Sequence, residues 1–394
     1  MLSFLFWLFV IAIVYTYAGY PALLGLFARL KSKPAPYPPY EPNITLLIAA
    51  YNEESSIAQK LENSLALDYP REKLQILVAA DGSSDKTPEI VARFADQGVE
   101  LCYRPERRGK MAAINRAMES VRGEVVIFSD ANNMYDAQTL RALATPFSDA
   151  TVGAVSGAKS ILKGDGALGE SEGAYWKYES WIKKQETRLG CTTGVSGEVW
   201  AIRRSVFERP PDAIINDDFY MAMRIVKKGY RMVYAPDAHS SERVSLTARD
   251  EVERRARIVA GRYQAITRAA ETVPFGRPLV VWQVVSHKFM RPLVPLGMIG
   301  AFLANLLLLI WSPQPGAWAF LRLAAPWNWI FMGLQVAFYL LAALGSLVPG
   351  ESKMARLLYL PTFLVNSNLA ALYGLIRHFT GRQSTLWTRV SRRE

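Results

Sequence analysis

Several short groups of acidic, amide and basic side chains stand at the ends of apolar runs in this chain. Asp81 follows LQILVAA and precedes Gly82-Ser83-Ser84-Asp85. A carboxylate at such a place commonly caps a turn, and it can also accept a hydrogen bond from the N–H of a heterocyclic base. Asp130 and Asn132 stand two residues apart at the end of EVVIFSD. Two oxygen ligands at that spacing can hold a hard cation such as Mg2+ or Mn2+. Asn132 offers an amide oxygen without charge, so Asp130 is the expected anchor and metal binding is expected to be weak. Arg107, Arg108 and Lys110 precede a helical segment and can contact phosphates, or form a solvated basic loop. Asn216-Asp217-Asp218 opens a segment with Phe219, Met223 and Val226 at helical spacing. Acids in a first helical turn ordinarily cap it and meet its dipole.

The elements that position these groups read as a βα series. ITLLIAAY (44–51) is a continuous apolar run of the kind that forms a buried parallel strand, and LQILVAAD (74–81), VELCYR (99–104), EVVIFSD (124–130) and VGAVSGAKSI (152–161) read as the strands that follow. Helical patterns intervene: Ile57, Leu61 and Leu65, a start at Thr87-Pro88, Met111 to Ser120, and a helix near 137–147. The fold class is therefore α/β with a mainly parallel sheet and right-handed crossovers. Ligands bind such sheets beyond the carboxyl ends of the strands, where Tyr51-Asn52-Glu53-Glu54, Asp81 and Asp130-Ala131-Asn132-Asn133 all fall. GxGxxG and GxxxxGK[ST] are both missing, which removes the Rossmann dinucleotide and P-loop readings.

Composition places this unit at a membrane. Residues 2–27 and long parts of 293–376 carry almost no charge, whereas the net charge of the 394-residue chain is +11. The first run is long enough to cross a bilayer. Its first basic residue, Arg29, comes after the apolar stretch, unlike a cleaved signal peptide. Arg29, Lys31 and Lys33 predict that the domain behind them is cytoplasmic. Between Arg243 and Arg291, ten Lys or Arg stand against four Asp or Glu, directly before an apolar span. Such charge suits an anionic membrane surface, and no zinc-finger, basic-zipper or RNP-type pattern points to nucleic acid. Two cysteines and three scattered histidines give no metal cluster. The expected organisation is a transmembrane helix (1–28), a stiff Pro-rich linker (29–42), the α/β domain (43–245), amphipathic interfacial helices (246–291), a C-terminal transmembrane region (292–376) and a basic tail (377–394). Three further spans are expected at 293–311, 327–348 and 357–376. The last carries Pro361, Asn366, Ser367 and Asn368 and reads as a broken or re-entrant segment beside a polar path. That irregularity would leave the Arg-rich tail cytoplasmic.

IAAYNEE, ADGSSDKT, RGKMAAIN, FSDANN and IINDDF, in this order, resemble the membrane-bound, processive-type members of glycosyltransferase family 2, such as cellulose, hyaluronan, chitin-oligosaccharide and poly-N-acetylglucosamine synthases. The resemblance covers 43–262. It implies a GT-A fold, a nucleotide-sugar donor, a divalent cation and an inverting reaction. On its terms Asp81 reads the uracil, with Tyr51 and Glu53 in the same pocket. Lys110 and Asn115 fit a K-x-x-A-x-N pattern beside the donor, and Asp130 and Asn132 take the DxD position. The loop Gly194-Val195-Ser196-Gly197 lines the acceptor channel. Asp218 becomes the general base that a weakly nucleophilic sugar hydroxyl needs, with Asp217 as its acceptor or structural partner. Arg254 to Ile258 (RRARI) falls where relatives carry QxxRW. Arg257 matches the diphosphate-binding Arg, Arg254 replaces Gln, and Ile258 replaces a Trp that would stack on an acceptor sugar. That departure puts long-chain synthesis in question. The expected activity is transfer from a nucleotide-sugar, a UDP-sugar by resemblance, to a growing saccharide at the inner membrane, with secretion or synthase subunits as partners. The alternatives are single transfer to a lipid-linked acceptor and an inactive nucleotide-sugar-binding scaffold.

Overall fold

Burial dictates the centre of the molecule, because strands packed on both faces can be apolar at every position. The computed structural model describes residues 1–161, 166–242, 248–348 and 353–384. Three strands, β1 (Ile44–Ala50), β2 (Leu74–Asp81) and β3 (Val99–Arg104), pair in parallel. A fourth, β4 (Val125–Asp130), lies parallel to the other side of β1, with Ala49 opposite Asp130. Every residue of β1 is buried. The carboxyl ends of β1, β2 and β4 therefore share one rim.

Beyond β4 the sheet becomes mixed. The short β5 (Met134–Tyr135), β6 (Val152–Ile161), β7 (Trp200–Arg203) and β8 (Arg231–Glu242) complete the order β3-β2-β1-β4-β7-β6-β8-β5. Strand β7 runs antiparallel to both β4 and β6, while β6 and β8 are parallel. The sheet is thus mainly parallel, as the apolar runs predict. Strands β5, β7 and β8 have no expected counterpart. The run at β7 spans only four residues, too short for a period to show. Its Trp200 is nonetheless fully buried and stacks on Phe128 with ring centroids 4.7 Å apart.

The helices of six or more residues are α1 (Leu2–Arg29), α2 (Ile57–Leu65), α3 (Thr87–Ala92), α4 (Lys110–Ala117), α5 (Thr139–Ala144), α6 (Gly166–Arg188), α7 (Asp217–Lys227), α8 (Ala248–Thr267), α9 (Pro278–Ile310), α10 (Trp327–Leu347) and α11 (Lys353–Phe379) among the described residues. Among the described residues α1, α9 and α10 are long and apolar enough to cross a membrane. Phe6 of α1 packs with Ala301, Ala304 and Leu308 of α9. The Pro-rich segment before β1 is no free spacer. Tyr37 and Tyr40 pack on the core, and the Tyr69 hydroxyl donates to the Pro42 carbonyl at 2.6 Å.

The expectation of a broken 357–376 segment is corrected. Helix α11 runs unbroken through Pro361 and packs on α8 and α10. Arg255 donates to the Ser367 hydroxyl at 2.6 Å, and Arg377 pairs with Glu253 at 3.1 Å. Ser367 and Asn368 thus find partners on α8 and at Tyr17 of α1, while Asn366 is exposed. The tail beyond Ser384 lies outside the described residues.

Candidate active site

The strand ends are laced together before any ligand is considered. Asn52, with φ of 53°, accepts the Ser84 N–H on its side-chain oxygen at 2.8 Å, so the β1 and β2 turns hold each other. Tyr51 stacks under the Arg107 guanidinium, 3.8 Å from its ring centroid. Glu53 is buried and accepts the Ser56 hydroxyl at 2.7 Å. Asp81 is fully buried, and its two oxygens accept the backbone N–H groups of Arg108 (3.0 Å) and Gly109 (2.7 Å). In this arrangement Asp81 fixes the 107–109 loop and, through it, the start of α4.

Lys110, first in α4, reaches across the rim. Its ammonium lies 2.7 Å from Asp130 and 4.0 Å from Asp217. Burial opposes the Lys110 charge, but Asp130 and Asp217 outweigh it and hold the group above its ordinary value. Asp217 and Asp218 open α7 behind the N-cap residue Asn216. Burial, reinforced by the Asp217 carboxylate, pushes Asp218 up to about 7. Arg257 of α8 also faces this group. Burial lowers it while Asp217, Asp130 and Asp218 pull the other way, and its Nε makes no hydrogen bond. Asn216 donates to the Ile258 carbonyl at 2.9 Å and Gln264 accepts the Ile215 N–H at 3.0 Å, which fixes α8 against the start of α7. Arg254 is half-buried on the same helix, whereas Arg255 turns away to α11.

The turn after β4 separates two amides. Asn133 is fully buried and donates to the Glu198 carbonyl and the Ser240 hydroxyl. Beneath it the buried Lys60 ammonium donates to the Asn133 carbonyl at 2.8 Å. The Asn132 side-chain oxygen, by contrast, is buried and makes no hydrogen bond. An orphaned acceptor costs stability unless something meets it, and a hard cation between Asn132 and Asp130 fits. Among the described residues no group of three or more His, Cys, Asp or Glu could hold a metal. A cation here would therefore complete its shell with ligand oxygens and water.

Residues 45–209 match the family model described as glycosyl transferase family 2. The chain carries a glycosyltransferase family 2 domain. It is 30% identical over 202 residues to a poly-beta-1,6-N-acetyl-D-glucosamine synthase of Staphylococcus aureus, covering 49% of this chain and 48% of that protein. It is 28% identical over 218 residues to a beta-monoglucosyldiacylglycerol synthase of Trichormus variabilis, covering 53% and 47%. The chain thus spans about half the length of the curated relatives it matches. A mannosyltransferase from Pyrobaculum calidifontis, solved with GDP-Man and Mn2+, superposes with a TM-score of 0.70 over 97% of this chain and 100% of that one at 24% identity. That likeness establishes the GT-A fold.

The family 2 domain rests on a buried network that sequence reading missed. Glu186 of α6 is fully buried. It accepts hydrogen bonds from the Tyr20 hydroxyl of α1 (2.5 Å), the Thr192 hydroxyl (2.8 Å) and the Thr193 N–H (2.7 Å), and it faces His287 of α9 at 2.8 Å. His287 meets Glu179 on its other nitrogen at 3.1 Å, and Glu179 also pairs with Arg291. One helical turn away, Lys183 donates to the Gly157 carbonyl (2.9 Å) and the Ser196 hydroxyl (3.0 Å). The 192–197 loop is therefore gripped from α6 and from two apolar helices, and its far end backs Asp218. A Cβ built on Gly197 would stand 2.9 Å from the Asp218 carboxylate. Lys288 and Arg291, read from sequence as membrane-surface charge, are buried in this network beside His287 instead. Only the juxtaposition of distant segments could have shown that. Replacing Glu186 with Ala strips a buried partner from Tyr20, from His287 and from the loop at Thr192 and Thr193. A loss of about 3–5 kcal/mol is expected, visible as a much lower unfolding temperature of the purified protein.

Proposed function

We propose that this chain is a membrane-embedded, inverting glycosyltransferase that moves a sugar from a UDP-sugar to a growing saccharide. One observation carries the reading: Asp130, Lys110, Asp217, Asp218 and Arg257 converge beyond the carboxyl ends of one sheet. Asp218 takes the proton of the acceptor hydroxyl as its oxygen bonds to the sugar C1 and the bond from C1 to the diphosphate oxygen breaks. Lys110 and Arg257 bind the diphosphate as its charge develops. Tyr51, Glu53 and Asp81 shape the nucleotide pocket, with Asp81 acting through the loop it holds. A divalent cation bound by Asp130 and Asn132 would add positive charge against the leaving group. The Mn2+ of the Pyrobaculum calidifontis structure supports such a cation.

A saccharide acceptor is supported by the name of the Staphylococcus aureus relative, and a lipid acceptor by that of the Trichormus variabilis relative. Ile258, held by its carbonyl against Asn216, offers no aromatic face for a sugar and favours the lipid reading as the second candidate. We infer that α1, α9 and α10 cross the membrane, which their length and apolar composition support and which would leave α11 on the same side as the family 2 domain, the cytoplasmic one by the charge at Arg29 and Lys31.

Incubating protein in lipid nanodiscs with Mn2+ and a panel of UDP- and GDP-sugars, then sizing the products, tests the proposal. A length ladder from a UDP-sugar is expected. One added sugar on lipid would transfer the assignment to the second reading, and no consumption of any donor would defeat both. The base also sets a pH dependence. A carboxyl with its pKa near 7 is protonated below that pH and cannot accept a proton, so turnover should fall about tenfold per pH unit below an acid limb near 7.

A further inference from the structure

A cavity of about 430 Å³ lies between α1 and α6, away from the donor site, lined by Pro21, Ala22, Gly25, Leu26, Arg29, Trp181, Gln185 and Arg188. Its floor is apolar and its rim carries two guanidinium groups. Among the described residues neither meets a carboxylate: Arg188 donates from Nε and Nη2 to the Lys31 carbonyl at 3.2 and 2.6 Å, and Arg29 is exposed at the end of α1. No acidic side chain lines the cavity. Gly25 shapes it, because a Cβ there would stand 3.1 Å from the Trp181 ring. Trp181 remains 42% exposed, and Leu26 and Phe27 continue the apolar surface along α1 at 53% and 41% exposure.

Position identifies the occupant. Helix α1 is one of the helices apolar and long enough to cross a membrane, and Arg29 marks its polar end. Tryptophan and arginine together at that level are the residues of a membrane–water boundary. A ligand there must offer an anionic head to two arginines and an apolar tail to Leu26 and Phe27. We propose that this cavity binds the phosphate headgroup of an anionic phospholipid, with its acyl chain lying along α1. A phosphodiester suits guanidinium forks better than a single ammonium.

The site bears on the family 2 domain through α6. Trp181, Gln185 and Arg188 line the cavity, whereas Lys183 and Glu186 of the same helix grip the 192–197 loop behind Asp218. A lipid seated against one face of α6 thus steadies the helix whose other face holds the catalytic loop. The binding claim goes beyond the transferase reading and does not depend on it.

The test is lipid retention. The full chain is extracted from nanodiscs of phosphatidylcholine mixed with phosphatidylglycerol, and the lipid that survives delipidation is measured by native mass spectrometry. Wild type should retain phosphatidylglycerol in preference to phosphatidylcholine. The double variant Arg29→Gln, Arg188→Gln should lose that preference by on the order of 30-fold, the effect of two basic residues at an anionic surface. Arg382→Gln, an exposed charge change elsewhere, should leave it intact, and Gly25→Leu, which fills the cavity while keeping both arginines, should abolish it. Equal retention of the two lipids by wild type, or undiminished preference in the double variant and Gly25→Leu, would overturn the proposal. Loss of the phosphatidylglycerol preference in millimolar inorganic phosphate, with the total retained lipid unchanged, would assign the arginines to a free anion instead and also refute it. Because the readout is bound lipid, an absence of transferase activity would leave this result standing.

Discussion

Asp218→Asn should reduce sugar transfer by about 10²–10⁴-fold while leaving nucleotide-sugar affinity near that of wild type. The substitution preserves the shape of the side chain and the helix start at α7 but removes the only function the mechanism asks of it, acceptance of a proton. Its consequence for stability runs the other way. Burial and the neighbouring Asp217 hold Asp218 well above its unfolded-state value of about 3.9. Such a carboxyl binds its proton more tightly in the folded protein, so the native state is favoured below the unfolded value. That advantage declines as pH rises through the window up to about 7. The amide does not ionise and escapes this penalty, so Asp218→Asn should be no less stable than wild type at pH 8. Measured together, a large loss of turnover, unchanged donor binding and undiminished stability identify a base. Near-normal turnover would end that assignment, and equal losses of donor affinity and turnover would make Asp218 part of the nucleotide pocket.

The parallel half of this fold was legible because its signals are local. A buried strand is largely apolar, so β1 can be read to within one residue and β2 and β6 to the residue, while the edge strand β3, with Glu100 and Arg104, is read from its place in the series. The acids follow from the same reading, since a strand that must end at the ligand rim leaves its polar residues there. What the sequence left hidden depends on partners far along the chain. Strand β7 exists because Trp200 packs on Phe128 and its backbone fits between β4 and β6. The helical path of α11 through Pro361 depends on α8 and α10, and the grip on the 192–197 loop on residues as distant as Tyr20 and His287. Asp81 was recognisable as a strand-end acid, but its service to the 107–109 backbone is set by where that loop returns. Asn132 and Asn133 are adjacent and of one type; the two-residue spacing to Asp130 singles out Asn132, but that Asn133 is anchored on Glu198 and Ser240 depends on segments far along the chain.

That difference leads to the second large effect. Asp130→Ala should abolish measurable Mn2+ binding at the rim, read by calorimetry on the purified protein without donor, and should lower transfer at least a hundredfold. The reasoning begins with charge. Lys110 sits 2.7 Å from Asp130, so an arriving cation competes with an ammonium that already neutralises part of the site. Asn132 supplies an oxygen but no charge to offset that competition. Asp130 is therefore the only anion of the pair, and removing it leaves a neutral amide beside a lysine, which repels a dication. Asn132→Asp should act in the opposite direction. It places a second carboxylate where the orphaned oxygen now stands, and Mn2+ affinity should rise about tenfold or more. Asn133→Ala should do neither directly, because its amide is spent on Glu198 and Ser240; its cost should appear as lost stability with the ratio of metal-bound to metal-free activity preserved. Unchanged Mn2+ affinity in both Asp130→Ala and Asn132→Asp would remove the cation from this rim and leave Lys110 and Arg257 to carry the diphosphate charge alone.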